Sequence, residues 1–544
     1  MKKALPIGIE NFRDMVWKDC YYIDKTAFIK PLMEAGNKVL LLTRPRRFGK
    51  TLFMDTLKSF LQLDFQKGIN GERNALLFKG LRISQDRDFC SRHMGRYPVI
   101  SMTLKDVEGG DFESAYVQFA ENLEDTLDPY RFLMDSPKLS PRDKDTLRQY
   151  LTTGYLKDSA HVADCKNFLK NLAAWLSKHY DRQVVILIDE YDVPLANAAQ
   201  FGYYDKMLEL VRAFLGQALK EKPQAQSDAP AYLMKAVLTG CLRVSKESIF
   251  TGINNPLINT VCSEDRSLSE IIGFTADEVR SFLDYYGLSN RYDDVKRWYD
   301  GYRFYESEIY CPWDVINHID RIKDDPNARP EAYWINTSGN DLVKRFVDKA
   351  NRTTRNEIEQ LIAGNAIEKM LRLDLTYDEI DNSIENLWSV LFTTGYLTQT
   401  GMTEDGAYRL VIPNREICEV FKLQIQEWFK KSIFSNTEQL TAFWKAFEEG
   451  NTDGVEMYLN RIMSNSISVF DIKTGEGKKE ISYHNLLVGI LTGNAEWLVK
   501  SNVEAGEGFA DIIVETEDPN AGIVVELKYT KDYDEMEQAC RAAL

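Results

Sequence analysis

The stretch of residues 39–57, VLLLTRPRRFGKTLFMDTL, constrains this chain more than any other. Its apolar start predicts a buried strand at 39–43, the arginine-rich part that follows predicts a tight loop at 44–49, and a helix is expected to begin at Lys50 and Thr51. A strand that runs through a loop into Gly-Lys-Thr at a helix start is the pattern of a phosphate-binding loop. Free N–H groups of such a loop point at the anion, and the helix dipole adds to the attraction.

This P-loop (Walker A) pattern predicts a role for each residue. Lys50 is expected to reach the β- and γ-phosphates of ATP, and the Thr51 hydroxyl is expected to bind Mg²⁺. The other predicted nucleotide contacts are Arg46, Arg47, Phe48 and Gly49. The full pattern has glycine at the first loop position, where this chain has Arg44. The alternative is a basic loop that precedes a helix by coincidence.

A second stretch, VVILIDEYD at residues 184–192, supports nucleotide binding. Its continuous apolar run predicts a central parallel strand that is buried on both faces. The run ends in Asp189 and Glu190. In the P-loop scheme Asp189 would hold Mg²⁺, usually through water, and Glu190 would polarise the attacking water. The alternative is a buried strand with acidic residues at its exposed end.

Four segments together resemble a bacterial family of AAA-ATPase-like proteins that are fused to a PD-(D/E)XK nuclease-like domain. These segments are LPIGIENF at 5–12, YYIDKT at 21–26, RPRRFGKT at 44–51 and LIDEYDVPL at 187–195. In that family an arginine usually replaces the first glycine of the loop. The resemblance covers nearly the whole chain, and it implies ATP and Mg²⁺ as cofactors.

Composition excludes several other classes of protein. The apolar content of 44% and charged content of 28% are those of an ordinary soluble globular chain. The net charge of −16 argues against a protein coated in nucleic acid, although a local basic groove remains compatible with it. The eight cysteines contain no C-x-x-C pair and the five histidines are scattered, which predicts neither a zinc site nor a disulfide framework. Neither a signal peptide nor a membrane span is expected, which favours the cytoplasm.

Length predicts three or four domains at about 150 residues each. We predict an AAA-like P-loop ATPase domain at 1–270, a helical lid region at 271–470 and a PD-(D/E)XK nuclease-like domain at 471–544. The strands of the first domain are expected at 39–43, 98–104, 184–188 and 233–239. Strands that alternate with helices predict an α/β domain with a parallel sheet.

The end of the fourth predicted strand carries two sensor candidates, Thr239 and Arg243. A polar residue at the end of the strand beside the Asp-Glu strand is where AAA-type ATPases sense the γ-phosphate. An arginine there would stabilise charge on the leaving phosphoryl group. The alternative for Arg243 is an arginine in a solvated loop.

The region that follows is expected to be mostly helical. A capping box from Thr275 to Glu278 predicts the start of one helix. Residues 391–398 and 407–412 are expected to pair as a hairpin. Helices with such a hairpin would fit a winged-helix lid, which is an interpretation by fold analogy.

The C-terminal part predicts a second chemistry. Its expected elements are a helix at 478–491, strands at 497–504, 509–515 and 522–529, and a helix from about residue 533. This α-β-β-β-α order matches the start of the PD-(D/E)XK core. The chain stops inside the last of these helices, so we expect the core to be incomplete at its C-terminus.

The predicted metal ligands of this part are Asp511 and Glu526, which would hold Mg²⁺ through oxygen atoms. Lys528 would position the water or the scissile phosphate. This requires a register that pairs residue 511 with 526 or 528. Glu480 would supply one more acid, with His484 as the alternative. A solvated Glu/Lys pair on an edge strand is the competing interpretation.

Two functions fit these predictions. The first is an ATP-binding and ATP-hydrolysing protein coupled to a metal-dependent phosphodiesterase, with Glu190, Asp511, Glu526 and Lys528 as catalytic residues. The second is a signalling or scaffold ATPase switch whose nuclease-like domain only binds. The expected partners are a nucleotide and nucleic acid, either DNA or RNA, without a membrane. A homo-oligomer fits the switch.

Overall fold

The computed structural model describes residues 2–65, 71–220, 231–243, 256–263, 267–334, 341–435, 437–466, 484, 487–494, 496–505, 508–516, 522–528, 535–538 and 541. Its contacts divide the chain into two compact units, which are described separately. Unit 1 comprises Met1–Thr337 and Glu368–Ile417, and unit 2 comprises Ser338–Ile367 and Cys418–Leu544. The three-domain division at residues 270 and 470 stays a prediction.

The helices are α1 Phe12–Trp17, α2 Ile29–Glu34, α3 Lys50–Leu61, α4 Gly71–Leu77, α5 Arg87–His93, α6 Phe112–Leu127, α7 Pro141–Tyr150, α8 Val162–Tyr180, α9 Val193–Phe201, α10 Tyr204–Leu219, α11 Ala276–Tyr286, α12 Tyr292–Tyr299, α13 Pro312–Asp324, α14 Asp341–Lys349, α15 Arg352–Ile362, α16 Ile384–Thr393, α17 Arg415–Ser435, α18 Thr437–Glu448 and α19 Thr452–Ser466. Within the described ranges, no helix is both long enough and apolar enough to cross a membrane.

The strands are β1 Val39–Thr43, β2 Val99–Thr103, β3 Val184–Asp189, β4 Leu233–Gly240, β5 Leu257–Asn259, β6 Phe274–Thr275, β7 Tyr302–Phe304, β8 Ser307–Tyr310, β9 Ile367–Lys369, β10 Thr398–Met402, β11 Tyr408–Val411, β12 Leu498–Ala505, β13 Gly508–Glu515 and β14 Gly522–Val525. The four strands predicted for the nucleotide-binding part are therefore confirmed to within one residue at each end. The short strand β5 was not predicted.

The central sheet of unit 1 is parallel, with the strand order β2-β3-β4-β1-β5. Every residue of β1 and β3 is buried, as expected for inner strands of a sheet covered on both faces. The register pairs Thr43 with Gly240 and Ile188 with Leu238. The strands β1, β3 and β4 therefore end at the same edge of the sheet, with β4 in the middle.

The segment that follows the central sheet in unit 1 contains helices and two small sheets, β6-β8-β7 and β10-β11-β9. The predicted capping box is confirmed, because the Thr275 hydroxyl and the Glu278 carboxylate each accept the other's main-chain N–H. The strand predicted at 391–398 is wrong for most of its length. Ser383 caps the helix α16, which continues to Thr393, and the hairpin begins only at Thr398. The winged-helix interpretation stays a prediction.

Unit 2 contains the antiparallel sheet β12-β13-β14, and the predicted order of three strands is confirmed. The last strand ends at Val525, four residues earlier than predicted. Of the helix predicted at 478–491, residue 484 and residues 487–491 are helical, and the other residues lie outside the described part of the chain. Ile512 and Val514 of β13 are fully buried against Ile490, Leu491 and their neighbours, which form the core of this sheet.

Candidate functional site

The 44–49 loop (residues 44–49) connects β1 to α3 at the edge where β1, β3 and β4 end. Gly49 immediately precedes α3 and has a φ angle of +91°. Only glycine adopts this left-handed region at little cost, because a Cβ atom would crowd the backbone. Gly49 therefore allows the turn into α3, whose first residue is Lys50 as predicted.

Lys50 is buried, and its ammonium group is surrounded by polar atoms. The Nζ atom lies 3.2 Å from the main-chain oxygens of Arg44 and Pro45 and 3.3 Å from Oε1 of Glu190. Burial acts to lower the pKa of Lys50, but the nearby Cys241 and Glu190 raise it above its usual value. The ammonium therefore carries its charge at neutral pH and holds the loop against the end of β3.

Asp189, the last residue of β3, joins three elements of unit 1. Its Oδ2 atom accepts a 2.6 Å hydrogen bond from the Thr51 hydroxyl in the first turn of α3. Its Oδ1 atom accepts a hydrogen bond from the Thr239 hydroxyl near the end of β4. Three residues predicted separately from the sequence therefore meet at one carboxylate.

Glu190 follows Asp189 with a φ angle of +51°, which is uncommon for a residue that has a side chain. This conformation turns the carboxylate back toward the loop, where it pairs with Lys50. Burial raises the pKa of Glu190, although Lys50 acts in the opposite direction. Strained backbone of this kind is found more often at functional sites than elsewhere.

Arg44 occupies the position where the P-loop pattern has glycine, and its side chain is fully buried. The guanidinium donates to Oδ1 of Asn259 at 2.5 Å and to the main-chain oxygen of Leu268 at 3.1 Å. It also lies 5.1 Å from the centre of the Phe304 ring. Arg44 therefore anchors the start of the loop to β5 and to the segment that follows it.

Arg46, Arg47 and Phe48, which the sequence predicts as nucleotide contacts, differ in their surroundings. Arg47 donates to the main-chain oxygen of Tyr333 at 3.0 Å, and the buried ring of Phe48 packs edge-on against Tyr302. Arg46 is exposed. Two of the three side chains thus fasten the loop to the protein, and Arg46 remains the one accessible to a phosphate.

Arg243, the second sensor candidate, lines a small cavity at the end of β1. The other lining residues are Thr43, Cys241, Thr260, Val261, Cys262, Leu373 and Thr393. The contacts of Thr239 with Asp189 connect that sensor candidate to the acidic strand end. The roles of Thr239 and Arg243 as sensors stay predictions.

The predicted metal ligands of unit 2 lie together at the end of the β13–β14 hairpin. The register of the two strands continues so that Asp511 faces Glu526, which is the first of the two registers predicted. Oδ2 of Asp511 accepts the main-chain N–H of Leu527 at 2.8 Å, and the Asp511 N–H points at Oε1 of Glu526 at 3.4 Å. Nζ of Lys528 lies 4.0 Å from Oε2 of Glu526.

Two family models match the chain. A model described as predicted AAA-ATPase matches residues 6–250, and a model described as PD-(D/E)XK nuclease superfamily matches residues 478–544. The chain carries an AAA-ATPase-like domain and a PD-(D/E)XK superfamily domain. Both assignments agree with the resemblance found in the sequence.

A curated relative extends the similarity beyond these two domains. The uncharacterized protein in the vnfD 5'region of Azotobacter chroococcum mcd 1 is 27% identical over 423 residues. The matched part covers 76% of this chain and 68% of the relative. The matched part is longer than the two domains together, so the similarity includes part of the segment between them.

The oxygen donors at both sites fit a hard divalent cation such as Mg²⁺. In the AAA-ATPase-like domain these donors are the Thr51 hydroxyl and the Asp189 carboxylate, which are already in contact. In the PD-(D/E)XK domain they are the carboxylates of Asp511 and Glu526. Among the described residues, no group of three or more His, Cys, Asp or Glu side chains could hold a metal ion.

Two further candidate ligands were predicted for the PD-(D/E)XK domain, Glu480 and His484, and the structure describes only the second. Glu480 lies outside the described residues. Nε2 of His484 lies 3.1 Å from the Ser501 hydroxyl of β12. His484 is therefore in contact with the neighbouring strand, and its role as a metal ligand stays a prediction.

The sequence analysis missed two residues at the AAA-ATPase-like site, Asp192 and Tyr377. The Tyr377 hydroxyl donates to Oδ2 of Asp192 at 2.8 Å across 185 residues of sequence. Asp192 could have been found as a third acid in IDEYD, directly after the predicted strand. Nothing in the local sequence of Tyr377 distinguishes it from other tyrosines of the chain.

Proposed function

We propose that the AAA-ATPase-like domain binds and hydrolyses ATP. The observation that supports this most strongly is the Asp189 carboxylate, which is hydrogen-bonded by both Thr51 and Thr239. The ion pair of Lys50 with Glu190 lies next to it. A lysine, two hydroxyl groups and two carboxylates thus lie at one edge of the sheet, and these are the groups that ATP and Mg²⁺ would need.

Each residue has a role in this proposal. Lys50 leaves the loop carbonyls and Glu190 to bind the β- and γ-phosphates, which releases Glu190 to orient a water molecule. Thr51 and Asp189 would hold Mg²⁺, which neutralises charge on the phosphates when bound. Arg46, exposed at the loop, would stabilise the charge on the leaving phosphoryl group, and Thr239 would orient Asp189.

The test is ATP turnover and ATP binding by the full chain. Lys50→Ala should abolish both, because the phosphates lose their cation. Lys58→Ala, which changes a lysine of the same helix about two turns further on, should leave both near wild-type values. Equal turnover in the wild type and in Lys50→Ala would contradict the proposal.

We also propose that the PD-(D/E)XK domain cleaves phosphodiester bonds of nucleic acid. Asp511 and Glu526 would hold Mg²⁺, which lowers the pKa of its bound water, and Lys528 would hold the water or the scissile phosphate. Support comes from the register that brings Asp511 to Glu526 and from the distance between Lys528 and Glu526. The choice between DNA and RNA is left to the experiment.

Cleavage is tested with DNA and RNA substrates, with Mg²⁺ or Mn²⁺, and with or without ATP. Lys528→Ala should abolish cleavage, whereas Lys500→Ala should not, since Lys500 pairs with Glu515 elsewhere on the same sheet. Comparison with Lys50→Ala shows whether ATP controls cleavage. Cleavage that survives in Lys528→Ala would contradict the assignment.

A second candidate function is an ATPase switch whose PD-(D/E)XK domain only binds nucleic acid. The observation that favours it is that Lys50, Glu190 and Asp189 are paired with one another or with neighbouring hydroxyls, so nucleotide must rearrange them. A switch predicts slow turnover and a change of oligomeric state between ADP and a non-hydrolysable ATP analogue. Identical elution of the two complexes on gel filtration would count against the switch.

A further inference from the structure

Asp192 is the third acid of the IDEYD stretch, and it is buried to 1% exposure. One of its oxygen atoms, Oδ2, accepts three hydrogen bonds. Two come from the main-chain N–H groups of Cys241 at 2.9 Å and Leu242 at 2.8 Å, and the third comes from the Tyr377 hydroxyl at 2.8 Å. A single carboxylate oxygen thus binds two different parts of unit 1.

The two N–H groups belong to the residues that directly follow β4. Thr239, two residues before Cys241, is the hydroxyl that donates to Asp189. The end of β4 packs closely against Asp192 at Gly240, because a Cβ atom there would lie 2.5 Å from Oδ1 of Asp192. Asp192 therefore fixes the backbone that carries Thr239 and leads to Arg243.

The neighbouring Tyr191 strengthens the same connection. Its main-chain N–H donates to the oxygen of Thr239 at 3.0 Å, and its hydroxyl donates to the oxygen of Leu242 at 2.7 Å. The residues after Glu190 and the residues after Thr239 therefore form one hydrogen-bonded assembly. A shift of the end of β4 would break several of these bonds together.

The hydrogen bonds of Asp192 described above use only one of its two carboxylate oxygens. Its Oδ1 atom is buried and has no hydrogen-bond partner within the described part of the chain, although burial of an unpaired oxygen costs stability. The negative charge does act on the site, since Asp192 favours the charged forms of both Lys50 and Arg46. Asp192 therefore adds to the negative charge around these two basic side chains.

Tyr377 brings a distant segment to this carboxylate. It lies on a turn in which the Thr376 N–H and the Arg372 guanidinium both contact the Glu379 carboxylate, at 3.2 Å and 3.0 Å. Asn386 of α16 donates to the main-chain oxygen of Glu379 at 2.6 Å. The hydroxyl of Tyr377 is therefore presented by a turn that is itself fixed to α16.

We propose that Asp192 and Tyr377 are positioning residues, which hold the end of β4 against the acidic end of β3 and make ATP turnover depend on the turn at residues 376–379. This inference rests on the proposed ATPase function. The turn would control catalysis because Thr239 can hold Asp189, and Arg243 can face the nucleotide, only while the end of β4 stays in place.

The test uses Tyr377→Phe in the full chain, since this variant removes one hydroxyl and keeps the ring. We expect kcat for ATP to fall about three- to tenfold with KM within about twofold, because binding groups are untouched. Hydrogen exchange at the main-chain amides of residues 240–243 should become faster. Tyr130→Phe is the matched control, since it removes a buried hydroxyl that donates to Val99 at 2.6 Å at the opposite edge of the sheet.

Variants of Asp192 separate hydrogen bonding from simple packing. Asp192→Ala should lower kcat about 100-fold, the size of effect expected when catalytic groups are displaced. Asp192→Asn should recover most of this loss, because the amide oxygen still accepts from the two N–H groups. If Asp192→Ala does not fold, Tyr377→Phe and Asp192→Asn still decide the question.

The outcomes distinguish this inference from the ATPase proposal. Wild-type kcat and wild-type amide exchange in Tyr377→Phe would overturn the inference and leave the ATPase proposal intact. A fall in thermal stability without a fall in kcat would also overturn it, since it would show a purely structural contact. A wild-type chain that does not hydrolyse ATP would overturn the proposed function and the dependence of turnover on the turn together.

Discussion

The two candidate sites differ in how their charged groups are held. In the AAA-ATPase-like domain the Lys50 side chain is 3% exposed, and both oxygens of Asp189 accept hydroxyl groups from other elements. In the PD-(D/E)XK domain the Lys528 side chain is 42% exposed, and Glu526, the carboxylate 4.0 Å from it, is two residues away in the chain. The first site is assembled by tertiary packing and the second by one hairpin, so their responses to mutation should differ.

The largest loss of unfolding free energy is expected for Arg44→Gly, which restores the glycine of the P-loop pattern. The variant should lose about 3–5 kcal/mol of unfolding free energy, because it removes a buried cation and leaves Asn259 and the Leu268 oxygen without a donor. Urea unfolding followed by circular dichroism measures this loss. Arg46→Gly, at an exposed position of the same loop, should lose less than about 1 kcal/mol. Equal losses would contradict the anchoring role of Arg44.

The next effect is catalytic and concerns Glu190→Gln. Turnover of ATP should fall about 100-fold while ATP binding persists, because the amide can no longer polarise water and Lys50 is freed from its ion pair. Steady-state kinetics and equilibrium binding of a non-hydrolysable analogue measure the two quantities. Loss of binding together with turnover would instead assign Glu190 a structural role like that of Arg44.

Unit 1 also buries a pair of acids beside its loop, Asp314 and Glu416. The Glu416 carboxylate accepts the main-chain N–H of Trp334 at 2.8 Å, and Arg47 acts on Asp314. Burial, together with Asp314, raises the pKa of Glu416 to about 10, and burial raises the pKa of Asp314 to about 6. No such fully buried acid pair is found among the described residues of unit 2.

This pair predicts a stability that falls as pH rises. The folded state keeps the Glu416 proton between pH 4.5 and about 10, whereas the unfolded state releases it, so the unfolded state is favoured as pH increases through this window. Glu416→Gln should therefore gain stability relative to the wild type as pH rises from 5 to 9, because the amide has no proton to release. Urea unfolding at the two pH values provides the comparison. A constant difference at both values would contradict a proton that Glu416 keeps in the folded state.

The smallest change in unfolding free energy is expected for Lys528→Ala. The lysine is half exposed and lies 4.0 Å from Glu526, so its loss should change the unfolding free energy by less than about 0.5 kcal/mol. Lys50→Ala should cost more, since it leaves the partly buried Glu190 carboxylate without its cation. A destabilised Lys528→Ala variant would mean that the hairpin site is as firmly assembled as the nucleotide site.

The local sequence was sufficient to predict those elements that depend mainly on residues close to them in the chain. The apolar runs of β1 and β3 and the loop that ends at Gly49 were predicted from neighbouring residues. The register of the β13–β14 hairpin was left open between two pairings of Asp511, with Glu526 or with Lys528. The strand predicted at 391–398 was wrong because apolar residues at its start also suit a buried helix, and Ser383, outside the predicted strand, decides for the helix. Short apolar runs alone do not distinguish the two.

Contacts between distant residues could not be predicted. Arg44 meets Asn259 across 215 residues, and Asp192 meets Tyr377 across 185 residues. A buried arginine and an exposed loop arginine look alike in sequence, so Arg44 could not be distinguished from Arg46. The nucleotide contacts predicted for the loop therefore stay predictions, and the sequence did not indicate which of these side chains face inward.

The buried Arg44 also limits how this motif can be transferred. In a P-loop with glycine at the first position, the backbone alone forms the loop, so the motif can be moved from one protein to another. Here the loop is completed by a side chain whose acceptors lie on β5 and on the segment after it. Grafting residues 44–51 into another ATPase should fail unless Asn259 and its neighbours are transferred as well, and Arg44 and Asn259 should be inherited as a pair.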